Sequence, residues 1–459
     1  REGEDATNEL SYLILQAVVD LKLYLPDLAV RLHKGTPDDF LRKACEVLRL
    51  GIGNPKFYND EQIMPVLTQV SNGAISLEQA RDYFNSGCTE FLTFEPYSPG
   101  YQWSWGGLNS AAPLEYVFTN GRARVNGKRV GIENGNPRNF SSYEEVVEAF
   151  KKQYAHALRL YVLLQNLGTA AALNSTVATP FVSAMRPICI ENGADFYLRG
   201  AGLPPDRQFF FLHVGVGVPD VIDSLAAIKK LVFEDKLISM TELIDGLDND
   251  FEGREDLRQM LINKAPKYGN DDDYVDSIAK EIYCMVSEEV HKYKNPRGGV
   301  WYPLILSLTS NVAFGKFLGA LPSGRKAWTP LADCGAPYHG YDRNGPTAVI
   351  KTIGKVNQAT LENGTAIALL QNMRLNPVIL EGEKGLKNMA ALLRAWCELG
   401  CHIIQFNVVS SETLRDAQTY PEKYPDLLVK VAGYNAYFTQ INRSIQDDII
   451  RRTEHSEWR

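Results

Sequence analysis

Helix signals and strand signals alternate along this chain, and that alternation narrows its fold more than any other feature. It is clearest near the C-terminus. A helix over Lys387–Leu399 stops at Gly400, the apolar strand Cys401–Val409 follows, a short helix opens at Ser411, and a second strand runs Leu427–Val431. Earlier helices announce themselves by their caps. Thr36-Pro37-Asp38-Asp39 reads as a cap with proline at the first helical position, opening an amphipathic helix that stops at Gly51. Ser76-Leu-Glu-Gln79 is a capping box. Ser142-Tyr-Glu-Glu145 opens a long helix ending near Gly168, Asp223 starts another, and Asp271 to Tyr293 forms one more. Alternation of this kind predicts an α/β fold.

The chain has 459 residues, 45% of them hydrophobic, which is ample for a large core. With 48 basic and 55 acidic side chains its net charge is −7, which gives no electrostatic footprint for nucleic acid or an anionic membrane. No apolar run approaches the ~20 residues that span a bilayer, and no signal-peptide pattern opens the chain. Seven cysteines, an odd number without framework spacing, fit a reducing cytoplasm. Cys397 and Cys401 lie four apart at a helix end with no matching histidine, so they read as core packing rather than a metal site. Gly215-x-Gly217 lacks the third glycine of a dinucleotide fingerprint.

Chemistry enters with Val429-Lys-Val-Ala-Gly433-Tyr-Asn-Ala-Tyr-Phe438, a glycine turn between an apolar run and an aromatic one. Ile441-Asn442 and the acidic, helix-like Ser444–Glu454 stretch follow it. This resembles the C-terminal radical loop of the glycyl radical enzymes, the superfamily of pyruvate formate-lyase, glycerol dehydratase and choline trimethylamine-lyase. The resemblance implies that Gly433 stores an unpaired electron on its Cα. Glycine is suited to such storage, because a Cα radical conjugated with both the peptide nitrogen and the carbonyl must be flat, and a Cβ would clash in that geometry. Lys430 stands where many relatives carry Arg, and Asn435 where many carry Ser; neither is expected to touch the radical centre.

A stored radical needs a partner that meets the substrate. Ser86-Gly87-Cys88-Thr89-Glu90 resembles the family's Gly-Cys-Val-Glu loop. In an extended segment residues two apart project to one side, so Cys88 and Glu90 face one pocket together. A thiyl at Cys88 abstracts hydrogen atoms, and Glu90 exchanges a proton with an adjacent group. Thr89 takes the place of the second adjacent cysteine that pyruvate formate-lyase uses to carry an acyl group, which argues against acyl transfer.

Past that loop, Tyr97, Tyr101, Trp103 and Trp105 form an aromatic segment that either shapes a flat or cationic substrate or packs the loop against the scaffold. Gln102-Trp103-Ser104-Trp105 stands where many family dehydratases carry Trp-His-Asp, and the missing acid speaks against small-diol dehydration. His213, on an apolar strand, reads as a core histidine or a pocket group. Arg297 reads as a structural arginine or a bidentate holder of an anionic substrate group. The Pro- and Gly-rich stretch Gly319–Gly345 matches the family's Pro-Asp-Gly-Arg-Lys loop and is expected to be an ordered connection.

The resemblance implies a ten-stranded α/β barrel with finger loops carrying Cys88 and Gly433 inside. Residues 1–459 would be the C-terminal part of a single catalytic domain, with a cysteine loop and aromatic segment over 88–110 and a glycine radical subdomain over 410–459. Asp5–Leu13 resembles a segment from the middle of full-length relatives, so an N-terminal portion is expected to be missing. The implied activity is a lyase that breaks a C–O, C–N, C–S or C–C bond of a small organic substrate through the Cys88 thiyl. Arylacetate decarboxylation, fumarate addition and a non-catalytic scaffold stay open as alternatives. No bound cofactor or metal is implied. The expected partners are an S-adenosylmethionine/iron–sulfur activating enzyme and a second copy of the chain in a homodimer.

Overall fold

Eleven strands are described: β1 (Ala29–Leu32), β2 (Lys56–Asn59), β3 (Phe84–Ser86), β4 (Glu90–Leu92), β5 (Phe210–His213), β6 (Trp301–Ile305), β7 (Ala368–Leu375), β8 (Ile403–Val408), β9 (Leu428–Lys430), β10 (Asn435–Tyr437) and β11 (Glu454–His455). The computed structural model describes residues 3–71, 73, 75–88, 90–93, 106–208 and 210–458. Six strands run in one path, β1-β2-β8-β7-β6-β5, and β11 adds to β7. Every neighbouring pair of this sheet is parallel except β2 with β8. Parallel neighbours need crossover connections, and helices supply them: Asp38–Arg49 between β1 and β2, Pro346–Glu362 between β6 and β7, Gly382–Glu398 between β7 and β8. The α/β expectation holds. Among the described residues the main sheet has seven strands where ten were expected, and its end strands β1 and β5 are not paired with each other.

Strand residues alternate between two apolar clusters. Val30, Phe57, Phe210, Leu212, Trp301, Ile305, Leu369, Met373, Ile404 and Phe406 join the large core under the helices. Tyr58, Phe211, Tyr302, Leu304, Ala368, Leu370 and Ile403 face the other way, and Phe91 and Ala432 complete their cluster with Cys88 packed against it. Burial on both faces explains why β7 reads as an almost unbroken buried run. The second cluster lines the inner face, where the two motif loops arrive.

Local signals are partly overridden. The Ser76 capping box forms and Ser142 caps as expected. The Ser142 helix passes Gly168 and runs to Ser175. One internal glycine costs about 1 kcal/mol relative to alanine, and the following Ala-rich run propagates the helix through it. Asp223 is not a cap. Its helix starts at Val218 with Pro219 in the first turn, and Asp223 lies buried inside, accepting the Tyr268 N–H at 2.8 Å. Thr36 spends its hydroxyl on the His33 N–H at 3.0 Å, and the helix behind it begins at Asp38. The Gly319–Gly345 stretch is ordered around Arg325, whose buried guanidinium donates to the carbonyls of Gly315 and Gly319. Cys401 gives its S–H to the Ile350 carbonyl inside the core.

Two small antiparallel hairpins stand apart from the main sheet, β3–β4 and β9–β10. The second rests on its own apolar cluster, in which Val409, Leu414, Ala417, Val429, Val431, Phe438 and Ile449 come together.

Candidate active site

The first hairpin pairs Ser86 with Glu90, which puts Gly87 and Cys88 at its turn. Gly87 enters it at a φ of +64°, a conformation that glycine adopts without strain. Tyr58 on the inner face donates its hydroxyl to Asn85 Oδ1, and Asn85 Nδ2 donates to the Gly87 carbonyl at 3.2 Å. The second hairpin pairs Lys430 with Asn435, and the Val431 N–H closes the turn on the Tyr434 carbonyl at 2.9 Å. Gly433 sits at its tip, buried, with a φ of +87°.

The two tips touch. A Cβ on Gly433 would stand 2.4 Å from Cys88 Cβ and 3.2 Å from Cys88 Cα. Glycine is therefore required twice here, by the left-handed backbone and by the thiol loop packed against its missing side chain.

Around this contact burial and the carboxylates keep the thiol protonated against the pull of Lys56 and Lys430. Burial, reinforced by the Glu90 charge, pushes the half-buried Cys88 thiol up to about 11. At neutral pH it is an S–H, a hydrogen-atom donor, rather than a thiolate nucleophile. Glu90 lies back over the turn, its Oε2 3.3 Å from where a Cβ of Gly87 would be. Burial raises the Tyr58 hydroxyl well above its usual range, with the same Glu90 charge adding to it. Burial lowers the His213 imidazole, and Glu90 pulls it back up. Cys88, Tyr58 and His213 therefore all sense the Glu90 charge.

Beneath the contact lies a buried cluster that local sequence patterns do not single out. Lys56 and Lys430 both reach Asp27. Lys56 Nζ lies 2.8 Å from Asp27 Oδ2, Lys430 Nζ pairs with Oδ1, and Asn435 Nδ2 reaches Oδ1 at 3.4 Å. Burial brings the Lys430 ammonium down to about 8 despite the opposing pull of Asp27. Lys430 and Asn435, the two departures from the common family pattern, thus share one carboxylate. The signal that was available is Lys56 itself, a lysine opening an apolar strand, because lysines are almost never fully buried unless paired.

The other expected site residues divide. His213 ends β5, where the Glu90 charge reaches it. Arg297 is committed elsewhere: Nη2 donates to the Tyr197 carbonyl and Nη1 to Gln208 Oε1 at 3.2 Å, with the guanidinium stacked over Phe210. Those contacts pin the 197–208 segment and favour the structural of the two readings of Arg297. Tyr97, Tyr101, Trp103 and Trp105 lie outside the described residues.

Comparison with known proteins finds a family model over each part of the chain. The model of the pyruvate formate lyase-like family matches residues 1–315, and the glycine radical model matches residues 331–439. An isethionate sulfite-lyase of Oleidesulfovibrio alaskensis is 40% identical over 458 residues, 99% of this chain and 53% of its own. A trans-4-hydroxy-L-proline dehydratase of Clostridioides difficile is 40% identical over 461 residues, 99% of this chain and 56% of its own. The glycerol-bound structure of the B12-independent glycerol dehydratase from Clostridium butyricum superposes with a TM-score of 0.89 at 38% identity, over 99% of this chain and 56% of that one. The chain spans about half the length of the curated relatives it matches.

Proposed function

This chain belongs to the pyruvate formate lyase-like glycyl radical enzymes, and from that membership we propose that it carries the radical relay of an eliminase-type lyase. The observation that carries the reading is the contact of the two tips, with the missing Cβ of Gly433 2.4 Å from Cys88 Cβ. A hydrogen atom moves only between groups nearly in contact, ~3–3.5 Å apart at the moment of transfer.

In the proposed cycle an S-adenosylmethionine/iron–sulfur activating enzyme removes a hydrogen atom from Gly433 Cα. The Gly433 radical takes the hydrogen of the Cys88 thiol, forming a C–H bond and leaving a thiyl. That thiyl takes a hydrogen atom from a substrate carbon. Glu90, whose charge reaches the Cys88 thiol, accepts a proton from a neighbouring hydroxyl and passes it to the leaving group as that departs from the adjacent carbon. The product radical recovers its hydrogen from the Cys88 S–H, and the thiyl returns to storage at Gly433. His213, kept neutral by burial, offers a hydrogen bond to the substrate. The relatives named as a sulfite-lyase and a dehydratase support elimination of sulfite or water as the reaction class. Thr89 beside Cys88 leaves no second thiol for acyl transfer. Residues 410–459 act as the subdomain that carries Gly433, on the apolar cluster of its own described above. Free thiols at every described cysteine suit a reducing cytoplasm, and among the described residues no helix is long and apolar enough to cross a membrane.

Anaerobic activation of the full polypeptide should give an organic-radical EPR doublet, split by the single remaining Cα proton of Gly433. Gly433→Ala should abolish it, since the methyl group opposes the left-handed backbone and collides with Cys88. An unchanged doublet in that variant would place the radical at another residue.

A further inference from the structure

The Lys56 ammonium is aimed at the radical machinery rather than simply neutralised. Its side chain is completely buried, and its charge is met by a carboxylate that also serves Lys430. Two cations on one aspartate leave positive charge over, and Lys56 directs it at peptide carbonyls. Nζ donates to the Cys88 carbonyl at 2.5 Å and stands 3.5 Å from the carbonyl oxygens of both Gly87 and Gly433. One ammonium therefore bridges the backbones of the two tips. Asp27 secures the arrangement from below, because Lys430 and Asn435, on either side of the Gly433 turn, are tied to the same carboxylate as Lys56.

A Cα radical between an amide nitrogen and a carbonyl is stabilised by donation from the first and withdrawal into the second. A cation close to the carbonyl oxygen makes that carbonyl a better acceptor. It draws spin from Cα toward oxygen and lowers the energy of the stored radical. The same ammonium, fixed on the Cys88 carbonyl, holds the thiol hairpin at hopping distance from Gly433.

We propose that Lys56 is a positioning residue of the radical relay: it clips the Cys88 and Gly433 hairpins together through their backbone carbonyls and polarises the carbonyl of the radical glycine. This rests on the radical assignment made above. The step it serves moves one hydrogen atom. The S–H bond of Cys88 breaks, the Cα–H bond of Gly433 forms, the unpaired electron passes to sulfur, and Lys56 keeps its proton throughout.

The test compares Lys56→Met and Lys56→Arg with the wild-type full polypeptide after anaerobic activation, by EPR splitting, radical lifetime and steady-state kinetics. Lys56→Met leaves Asp27 paired with Lys430, so no buried charge is orphaned. It is expected to widen the Cα-proton splitting, shorten the radical's lifetime and lower kcat by about 10²-fold with KM nearly unchanged. Lys56→Arg is expected to bring the splitting back toward wild type. A Lys56→Met enzyme with wild-type splitting and turnover overturns the proposal. So does one that loses turnover with unchanged splitting and no recovery in Lys56→Arg, because that marks a purely structural lysine. A wild-type protein with no doublet overturns the radical assignment itself, a result separate from both. Should Lys56→Met fail to fold, wild-type protein labelled with ζ-15N lysine supplies the second measurement. A 15N coupling to the glycyl radical is expected, and its absence overturns the contact.

Discussion

Asn407 on β8 satisfies both backbone groups of Lys430 at the end of β9: its Nδ2 donates to the Lys430 carbonyl at 2.7 Å and its Oδ1 accepts the Lys430 N–H at 2.7 Å. Both residues are buried. Through this one side chain the main sheet fixes the hairpin that carries Gly433. Arg452 adds a second tether on the Val431 carbonyl at 2.7 Å.

Asn407→Ala removes two buried hydrogen bonds and orphans a donor and an acceptor. The expected cost is about 2–4 kcal/mol of stability, read as a lowered Tm. Amide exchange over 428–437 should rise more than exchange over the main-sheet strands. Uniform protection across the chain would mean that the hairpin is held by its apolar cluster alone.

Cys88 should be a poor nucleophile. With its thiol at about 11, raised first by burial and then by Glu90, alkylation by iodoacetamide at pH 8 should be slow and rise about tenfold per pH unit toward 11. Cys88→Ser identifies the labelled site and should retain the glycyl doublet while losing all turnover. Its hydroxyl O–H bond is too strong for the glycyl radical to break. Rapid labelling of Cys88 at pH 7 would contradict the neutral-thiol picture.

Glu90→Gln keeps the size of the side chain and removes its charge and proton acceptor. Activity should fall by about 10²–10⁴-fold with the radical signal intact. A second readout is independent of turnover: without the Glu90 charge the Cys88 thiolate forms more easily, so alkylation of Cys88 should accelerate at a given pH. Full activity would redirect the assignment toward a reaction in which Glu90 moves no proton, such as fumarate addition.

The sequence carries the two tips because hairpin turns are local. Gly87 and Gly433 each mark a turn whose backbone needs glycine; Cys88 lies in the first turn rather than on an extended strand, so the hairpin, not strand alternation, brings it near Glu90. The helix–strand order predicts the parallel sheet for the same reason. What holds the tips together is not local. Asp27, Lys56 and Asn407 lie far from both turns along the chain, and each looks like an ordinary polar residue, Asp27 in the loop before β1 and the other two on strands. Only packing reveals Lys56 as a buried cation between two carbonyls. A misread cap has a similar cause. Asp223 has chemistry suited to a cap, but a neighbour remote in sequence, the Tyr268 N–H, claims it first.

His402 makes the last prediction, one that concerns the scaffold beneath the site. It lies at the entrance to β8, 1% exposed, and burial lowers its imidazole to about 4. An unfolded histidine titrates near 6.5. The folded state therefore refuses a proton that the unfolded state accepts between those values. The sign follows: stability is undiminished above pH ~6.5 and is lost as pH falls toward ~4, by up to about 1.4 kcal/mol per unit and about 3 kcal/mol in all. His402→Phe keeps a ring of similar shape without the titration. Urea unfolding from pH 7 to pH 4.5 should therefore show a shallower loss of stability in the variant than in the wild type. Parallel curves would mean that the His402 site admits the proton when folded, through water or movement of its neighbours, and that acid sensitivity of the scaffold arises at other residues.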